Sequence, residues 1–223
     1  MSKVRRLWAI MEFRKHHYGG GLVAVTADVA ESVYVGVDAI IYDNAIVMGK
    51  ARIEDFARIH DKAVIVDHAH ISGNARVFGC ACVGDNARLS GLALVSGNAE
   101  VCWDARVFGN ATVTGNASVF GDVQLFDYAR IAGDAVVTGN VKLYGNAHIY
   151  ENARVSGNAQ VFGQSHVFES ARVGGSAKVY GNAKVCGTAI VEGETLLSNG
   201  TYDSGVRDTV RRYSIWERLR FNL

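Results

Sequence analysis

The chain has 223 residues, of which 49% are hydrophobic, with 25 glycines and no proline. Its 23 lysines and arginines nearly balance its 22 aspartates and glutamates, and the net charge of +1 excludes a function that depends on the charge of the whole molecule. Any charged function must therefore reside in local patterns. Many glycines with few long apolar runs favour short strands separated by tight turns.

The N-terminal segment, residues 1–20, begins with MSKVRRLWAIMEFRK. Its apolar stretch from Leu7 to Met11 is too short for a signal peptide, and no cleavage site of small residues follows it. No part of the chain approaches the roughly 18 apolar residues of a membrane span. The four cysteines lack CxxC spacing, so the sequence predicts reduced thiols and a cytoplasmic protein that does not contact a membrane.

A repeat of six residues follows the N-terminal segment. Thirty positions, taken in steps of six from Val23 to Leu197, are all Val, Ile or Leu, without insertion or deletion. The residue two places earlier is Ala at 24 of them, and the residue two places later is Gly at seventeen. Alternate residues of a strand point the same way, so the small and the aliphatic residue both face inwards. The narrow interior that results leaves no room for large or polar side chains.

The residues after each aliphatic position predict sharp corners. Glycine adopts positive φ at no steric cost, and Asn or Asp tolerates the left-handed conformation while its side chain bonds nearby backbone. The unit V-x-G-N-A-x, as in ISGNARVFG, closely resembles the hexapeptide repeat of left-handed β-helix proteins, the fold of many bacterial acyltransferases. With GGGLV and IIYDNAIV beside it, the sequence looks most like the YdcK-type branch of that family.

The resemblance covers residues 21 to about 198, and it implies an all-β fold, a single left-handed parallel β-helix of about ten coils with three hexads each. Open ends of such a rod expose strand edges and need caps. We therefore expect an N-terminal cap at 1–20, the β-helix at 21–199 and a C-terminal cap at 200–223. In this last segment VRDTVRRYSIWERLRF predicts a basic amphipathic helix.

Residues 18 apart should stack in rows on one outer face, because the repeat never slips. One row, the aromatic row, consists of Phe108, Phe126, Tyr144, Phe162 and Tyr180. The row beside it is basic or polar and includes the cations Arg88, Arg106, Lys142 and Lys178. We call these two rows together the aromatic face. A self-stabilising stack or a subunit interface is the favoured interpretation. An extended anionic polymer, nucleic acid or polysaccharide, is a less favoured partner because nucleic-acid binders are usually more basic.

Two other faces follow from the same spacing. The apolar face carries Ile46, Met48, Val64 and Val66, with Cys82 and Gly84 beyond them. Exposed apolar residues in neighbouring rows predict that this face is covered, either by a terminal helix or by another subunit. The histidine face stacks Arg130, His148, His166 and Lys184. Its paired histidines suggest a metal site, but the flanking cations repel a divalent ion. We interpret this row as solvated surface and expect no metal.

An enzymatic role is implied only by the resemblance. Acyltransferases of the family place a catalytic histidine in a pocket, commonly with a loop extruded between coils, and no insertion occurs here. If the chain is an enzyme, the resemblance implies CoA-dependent acyl transfer at a site between subunits, with His60 or His70 as the base. Their offsets place these two histidines on different faces. The sequence therefore favours a non-catalytic structural rod that self-associates as a trimer or dimer or binds a protein partner, without a cofactor.

Overall fold

The structure is a computed structural model that describes residues 12–208. Within this range the chain winds into three sheets of 12, 11 and 10 strands, and, apart from the first two strands, the neighbours in each sheet come every third strand along the chain. Nearly all of these neighbours are parallel, as in a parallel β-solenoid of about ten turns, which confirms the all-β repeat architecture. The left hand of the winding stays a prediction from the resemblance. No helix long and apolar enough to cross a membrane occurs within 12–208.

Each sheet carries one of the three outer faces. The sheet of the histidine face comprises Phe13–Lys15, Leu22–Ala24, Ile40–Ile41, Arg58–Ile59, Arg76–Val77, Leu94–Val95, Thr112–Val113, Arg130–Ile131, His148–Ile149, His166–Val167, Lys184–Val185 and Thr201–Tyr202. The sheet of the apolar face comprises Asp28–Val29, Ile46–Val47, Val64–Ile65, Cys82–Val83, Glu100–Cys102, Ser118–Phe120, Val136–Thr138, Arg154–Val155, Arg172–Val173, Ile190–Glu192 and Val206–Asp208. The sheet of the aromatic face comprises Tyr34–Val35, Arg52–Ile53, His70–Ile71, Arg88–Leu89, Arg106–Val107, Gln124–Leu125, Lys142–Leu143, Gln160–Val161, Lys178–Val179 and Leu196–Leu197.

The register between successive turns is 18 residues. It holds from the pair of Leu22 with Ile40 to the pair of Lys178 with Leu196. The rows inferred from the sequence are therefore real columns on the surface. Beyond Leu197 the turns shorten, since Lys184 pairs with Thr201, 17 residues on.

The interior consists of the aliphatic and small positions of every hexad, almost all with no exposed surface. One expectation about this interior is wrong, because a polar side chain does fit. Ser165 occupies a small position and is fully buried, and its hydroxyl lies 2.8 Å from the carbonyl oxygen of Phe162 and 3.2 Å from that of Val179. A hydroxyl is small enough for an alanine site and finds its partners in the main chain.

The corners confirm the need for positive φ. All seventeen corner glycines adopt it, and a substituent at Gly115 would approach the backbone nitrogen of Gly133 to 2.7 Å. From the turn that contains Asp43 onwards, acidic residues take the same conformation at eight corners. As expected, their carboxylates bond nearby backbone, which belongs to the adjacent turn rather than to their own corner. Each accepts the N–H of the corner residue one turn later, as Asp127 does from Gly145 at 3.0 Å.

The two ends differ from the middle. Phe13–Lys15 pairs antiparallel with Leu22–Ala24 and so lies along the first edge of the histidine-face sheet. At the other end, where we expected a helix over 200–223, residues 201–202 and 206–208 add strands to two sheets. The remainder of that predicted helix, and residues 1–11 of the predicted N-terminal cap, lie outside the described residues.

Candidate functional site

The aromatic row forms one continuous stack. Centroids of successive rings from Phe108 to Tyr180 lie 5.1, 5.0, 4.7 and 5.1 Å apart, and neighbouring planes differ by 3° to 9°. The parallel register sets this spacing, because it places equivalent positions of neighbouring strands about 4.8 Å apart. Each inner ring has both of its faces against other rings. All five side chains are half-buried, and burial raises the pKa of the Tyr144 hydroxyl.

The cation row beside these rings is exposed. Within 12–208, Arg88, Arg106, Lys142 and Lys178 form no salt bridge. The half-buried amide of Gln124 stands between Arg106 and Lys142 in this row. Asp104 and Asp122 line the same shallow depression of about 360 Å³ as these two cations. The positive field of the row is therefore moderated at its centre.

The apolar face has the predicted rows in register. Ile46, Val64 and Cys82 pair in sequence, and Met48 is 41% exposed beside the half-buried Val66. The patch ends in the next turn at the exposed Glu100, which pairs with Cys82. This face is consequently a short apolar surface of three turns near the N-terminal end of the rod.

His60 and His70 lie on different sheets, as their offsets predict. The His60 ring is stacked between Tyr42 at 4.7 Å and Phe78 at 5.0 Å. Its Nδ1 lies 3.3 Å from a carboxylate oxygen of Asp61, while its Nε2 is buried without a hydrogen-bond partner among the described residues. A base needs an accessible nitrogen, and the one that has no partner in this ring is buried.

His70 is engaged in a charged group on the aromatic-face sheet. Its Nε2 lies 2.6 Å from a carboxylate oxygen of Glu54, whose other oxygen pairs with Arg52. Burial acts to raise the pKa of the Glu54 carboxyl, but hydrogen bonds from Arg52 and His70 outweigh it and hold this pKa below its usual value. His70 thus has a structural partner on the outside of the rod.

One group has the composition of a metal site. Asp43, His60 and Asp61 place ligand atoms within 4.8 Å of one another at a corner. Both carboxylates are already acceptors for backbone, since Asp43 bonds the N–H of Asp61 at 3.2 Å and Asp61 bonds that of Gly79 at 3.0 Å. These hydrogen bonds account for the acidic residues at the two corners, and we assign no metal ion to the group.

The histidine face contains a feature that the sequence analysis missed. A hollow of about 690 Å³ opens on it, and its walls include Thr114, Arg130, His148, Tyr150 and His166. The two histidines are half-buried and adjacent, with ring centroids 5.1 Å apart. Interpreting this row as solvated surface is therefore incomplete, because the row forms one wall of a concave site.

Both histidines of the hollow are biased towards the neutral form. Burial, and next His166 and Arg130, lower the pKa of His148. Burial, and next Lys184, lower the pKa of His166. Desolvation and nearby cations both disfavour a charged imidazole. At neutral pH each ring therefore offers one hydrogen-bond acceptor and one donor.

The comparisons with known proteins concern the repeat. Residues 105–121 match the model of the YdcK beta solenoid repeat. Among solved structures, the chain is similar to a UDP-N-acetylglucosamine acyltransferase from Campylobacter jejuni, with 18% identity, a TM-score of 0.39, and coverage of 89% of this chain and 81% of that one. No curated protein matches the sequence. The match confirms the resemblance that the GNA corners suggest: residues 105–121 are similar to the YdcK beta solenoid repeat.

Proposed function

We propose that this protein is a non-catalytic rod that self-associates through its aromatic face. The observation that supports the proposal is the stack of five rings beside cations that form no salt bridge among the described residues. The half-buried rings leave a partly exposed apolar strip along five turns. Such a strip gains stability when a second surface removes it from water.

Electrostatics selects the relative direction of two copies. A two-fold axis perpendicular to the rod would place the cation rows of both copies against each other. A two-fold axis parallel to the rod instead places the cation row of each copy against the aromatic row of the other. The apolar stems of lysine and arginine can then cover the rings while their charged ends stay in water. Like charges opposed across an interface are costly, so we favour the parallel arrangement.

The mass of the assembly tests this proposal. Light scattering on the full chain should give a mass of two or more copies. The double variant Phe126→Glu/Tyr144→Glu should reduce it to one copy. Phe120→Glu/Thr138→Glu is the matched control, because these residues pair at the equivalent strand position on the apolar-face sheet. A wild type of one copy, or equal effects of the two double variants, would refute an interface at the aromatic face.

Two alternatives have less support. Stacking of a nucleic acid or polysaccharide on the aromatic row requires free ring faces, and the inner rings use theirs on each other. Acyl transfer between subunits with His60 or His70 as base has less support because the His60 ring is stacked between two aromatic rings and His70 is paired with Glu54. Release of thiol from acyl-CoA in the presence of acceptor amines, lost in His60→Ala/His70→Ala, would establish that alternative instead.

A further inference from the structure

A second row of rings runs along the histidine-face sheet, and it is interrupted. The positions that follow the aliphatic residue in successive turns are Tyr42, His60, Phe78, Ser96, Thr114, Ala132, Tyr150 and Phe168. The first three rings stack on one another, and Tyr150 stacks on Phe168 at 5.0 Å with 1° between the planes. Three small residues separate these two stacks.

The hollow lies at this interruption. Ala132 is in register with Tyr150 one turn away, and both line the hollow together with Thr114. One face of the Tyr150 ring is covered by Phe168, and no described ring stacks on its opposite face. The volume of about 690 Å³ falls within the roughly 300–1,000 Å³ of small-molecule sites. A planar ring placed above Ala132 would continue the stack.

Polar groups converge on the same space from the neighbouring row. Four polar residues pair in register over four successive turns along this wall: Thr112, Arg130, His148 and His166. Arg130 forms no salt bridge with any carboxylate of residues 12–208. The charged groups that influence the histidine pair are cations, Arg130 and Lys184. The hollow thus combines an open ring face with positive charge.

The geometry points to a binding site for a flat aromatic anion, a ring that carries a carboxylate or phosphate group. Its ring stacks on Tyr150 in the space left by Ala132, and its anionic group pairs with the guanidinium of Arg130, which suits both carboxylates and phosphates. The neutral imidazole of His148 supplies a further hydrogen bond. This site is independent of self-association through the aromatic face, which lies on another sheet.

Calorimetry with four probes tests the chemistry. We expect 1-naphthoate or 1-naphthyl phosphate to bind, and the tighter of the two identifies the anionic group. The neutral 1-naphthylmethanol and the non-aromatic cyclohexanecarboxylate should each bind at least about tenfold more weakly, because each lacks one of the two interactions. Equal binding of the neutral ring, or no binding of either aromatic anion, would overturn the assignment.

Two variants test the location, with one matched control. Ala132→Phe fills the space and stacks on Tyr150, so binding is lost while the melting temperature is not lowered. Arg130→Gln weakens binding about tenfold. Ser156→Phe adds a ring at the equivalent position of the apolar-face sheet and leaves affinity within about twofold of wild type. Unchanged affinity in Ala132→Phe, confirmed as folded by its melting curve, contradicts a site at this hollow.

Discussion

The aromatic row allows a comparison within one residue type. Tyr144 stacks on two rings, Phe126 at 5.0 Å and Phe162 at 4.7 Å, whereas among residues 12–208 Tyr180 stacks on Phe162 alone, at 5.1 Å. Each aromatic pair contributes about 0.5–1.5 kcal/mol beyond the burial of area. Both tyrosines are half-buried, so stacking is the main difference between their surroundings. Tyr144→Ala should therefore lower the free energy of unfolding by about 0.5–1.5 kcal/mol more than Tyr180→Ala does.

Urea denaturation followed by circular dichroism measures this difference. The dependence of the unfolding free energy on urea concentration must be the same in both variants, because it reports the surface exposed on unfolding. A double-mutant cycle isolates the stacking contribution. The stacked pair, Tyr144→Ala and Phe162→Ala, should show a coupling energy of about 0.5–1.5 kcal/mol. The effects of Phe126→Ala and Phe162→Ala should be nearly additive, because these two rings are not adjacent. Stacking within one chain does not depend on protein concentration, unlike an interface. Equal costs for the two tyrosines, or no coupling between Tyr144 and Phe162, would refute the stacking model.

Three further predictions concern the core, the corners and pH. Leu143→Ala removes a fully buried side chain from a narrow interior and should cost about 2–5 kcal/mol in urea denaturation; a cost below about 1 kcal/mol would mean that the interior collapses around the gap. Asp127→Ala leaves the N–H of Gly145 without its acceptor at positive φ and should cost about 1–2 kcal/mol, whereas Asp127→Gly should cost about 1 kcal/mol less because glycine relieves the backbone strain. The pKa values of His148 and His166 are lowered in the fold, so the unfolded chain binds more protons below about pH 6.5 and stability should fall from pH 7 to pH 5. His148→Gln/His166→Gln should flatten this dependence of the melting temperature, and an unchanged slope would show that the pair does not contribute.

The sequence predicts the solenoid well because one physical rule recurs thirty times. A single inward aliphatic with an inward small residue determines strand position and register, and the columns through Phe126 and Tyr144 follow without further information. Tertiary details that depend on one side chain are not accessible in this way. The pairing of Glu54 with Arg52 and His70, and the main-chain partners of Ser165, depend on side-chain conformations that the repeat does not encode.

The hollow on the histidine face could have been found by comparing both outward rows of that sheet. The row of Arg130 and His148, taken alone, indicates solvated cations. The adjacent row changes from aromatic to small residues at Ser96 and returns to aromatic at Tyr150, and this interruption is the sequence signature of a concavity. The lowered pKa of His148 depends on burial in that concavity, so no motif in the sequence could have predicted it.

The constant register has a consequence for folding. The interior side chains are nearly the same in every turn. If one complete turn were left out of the solenoid as a loop, the turns on either side of it could therefore still pack their aliphatic residues against each other. Only features that differ between turns penalise such slippage. The finite run of rings from Phe108 to Tyr180 is one of them, because omitting a turn within it would shorten the stack by one ring. Side chains on the outer faces thereby help the chain to select one pairing of its turns, which the nearly uniform interior alone does not determine.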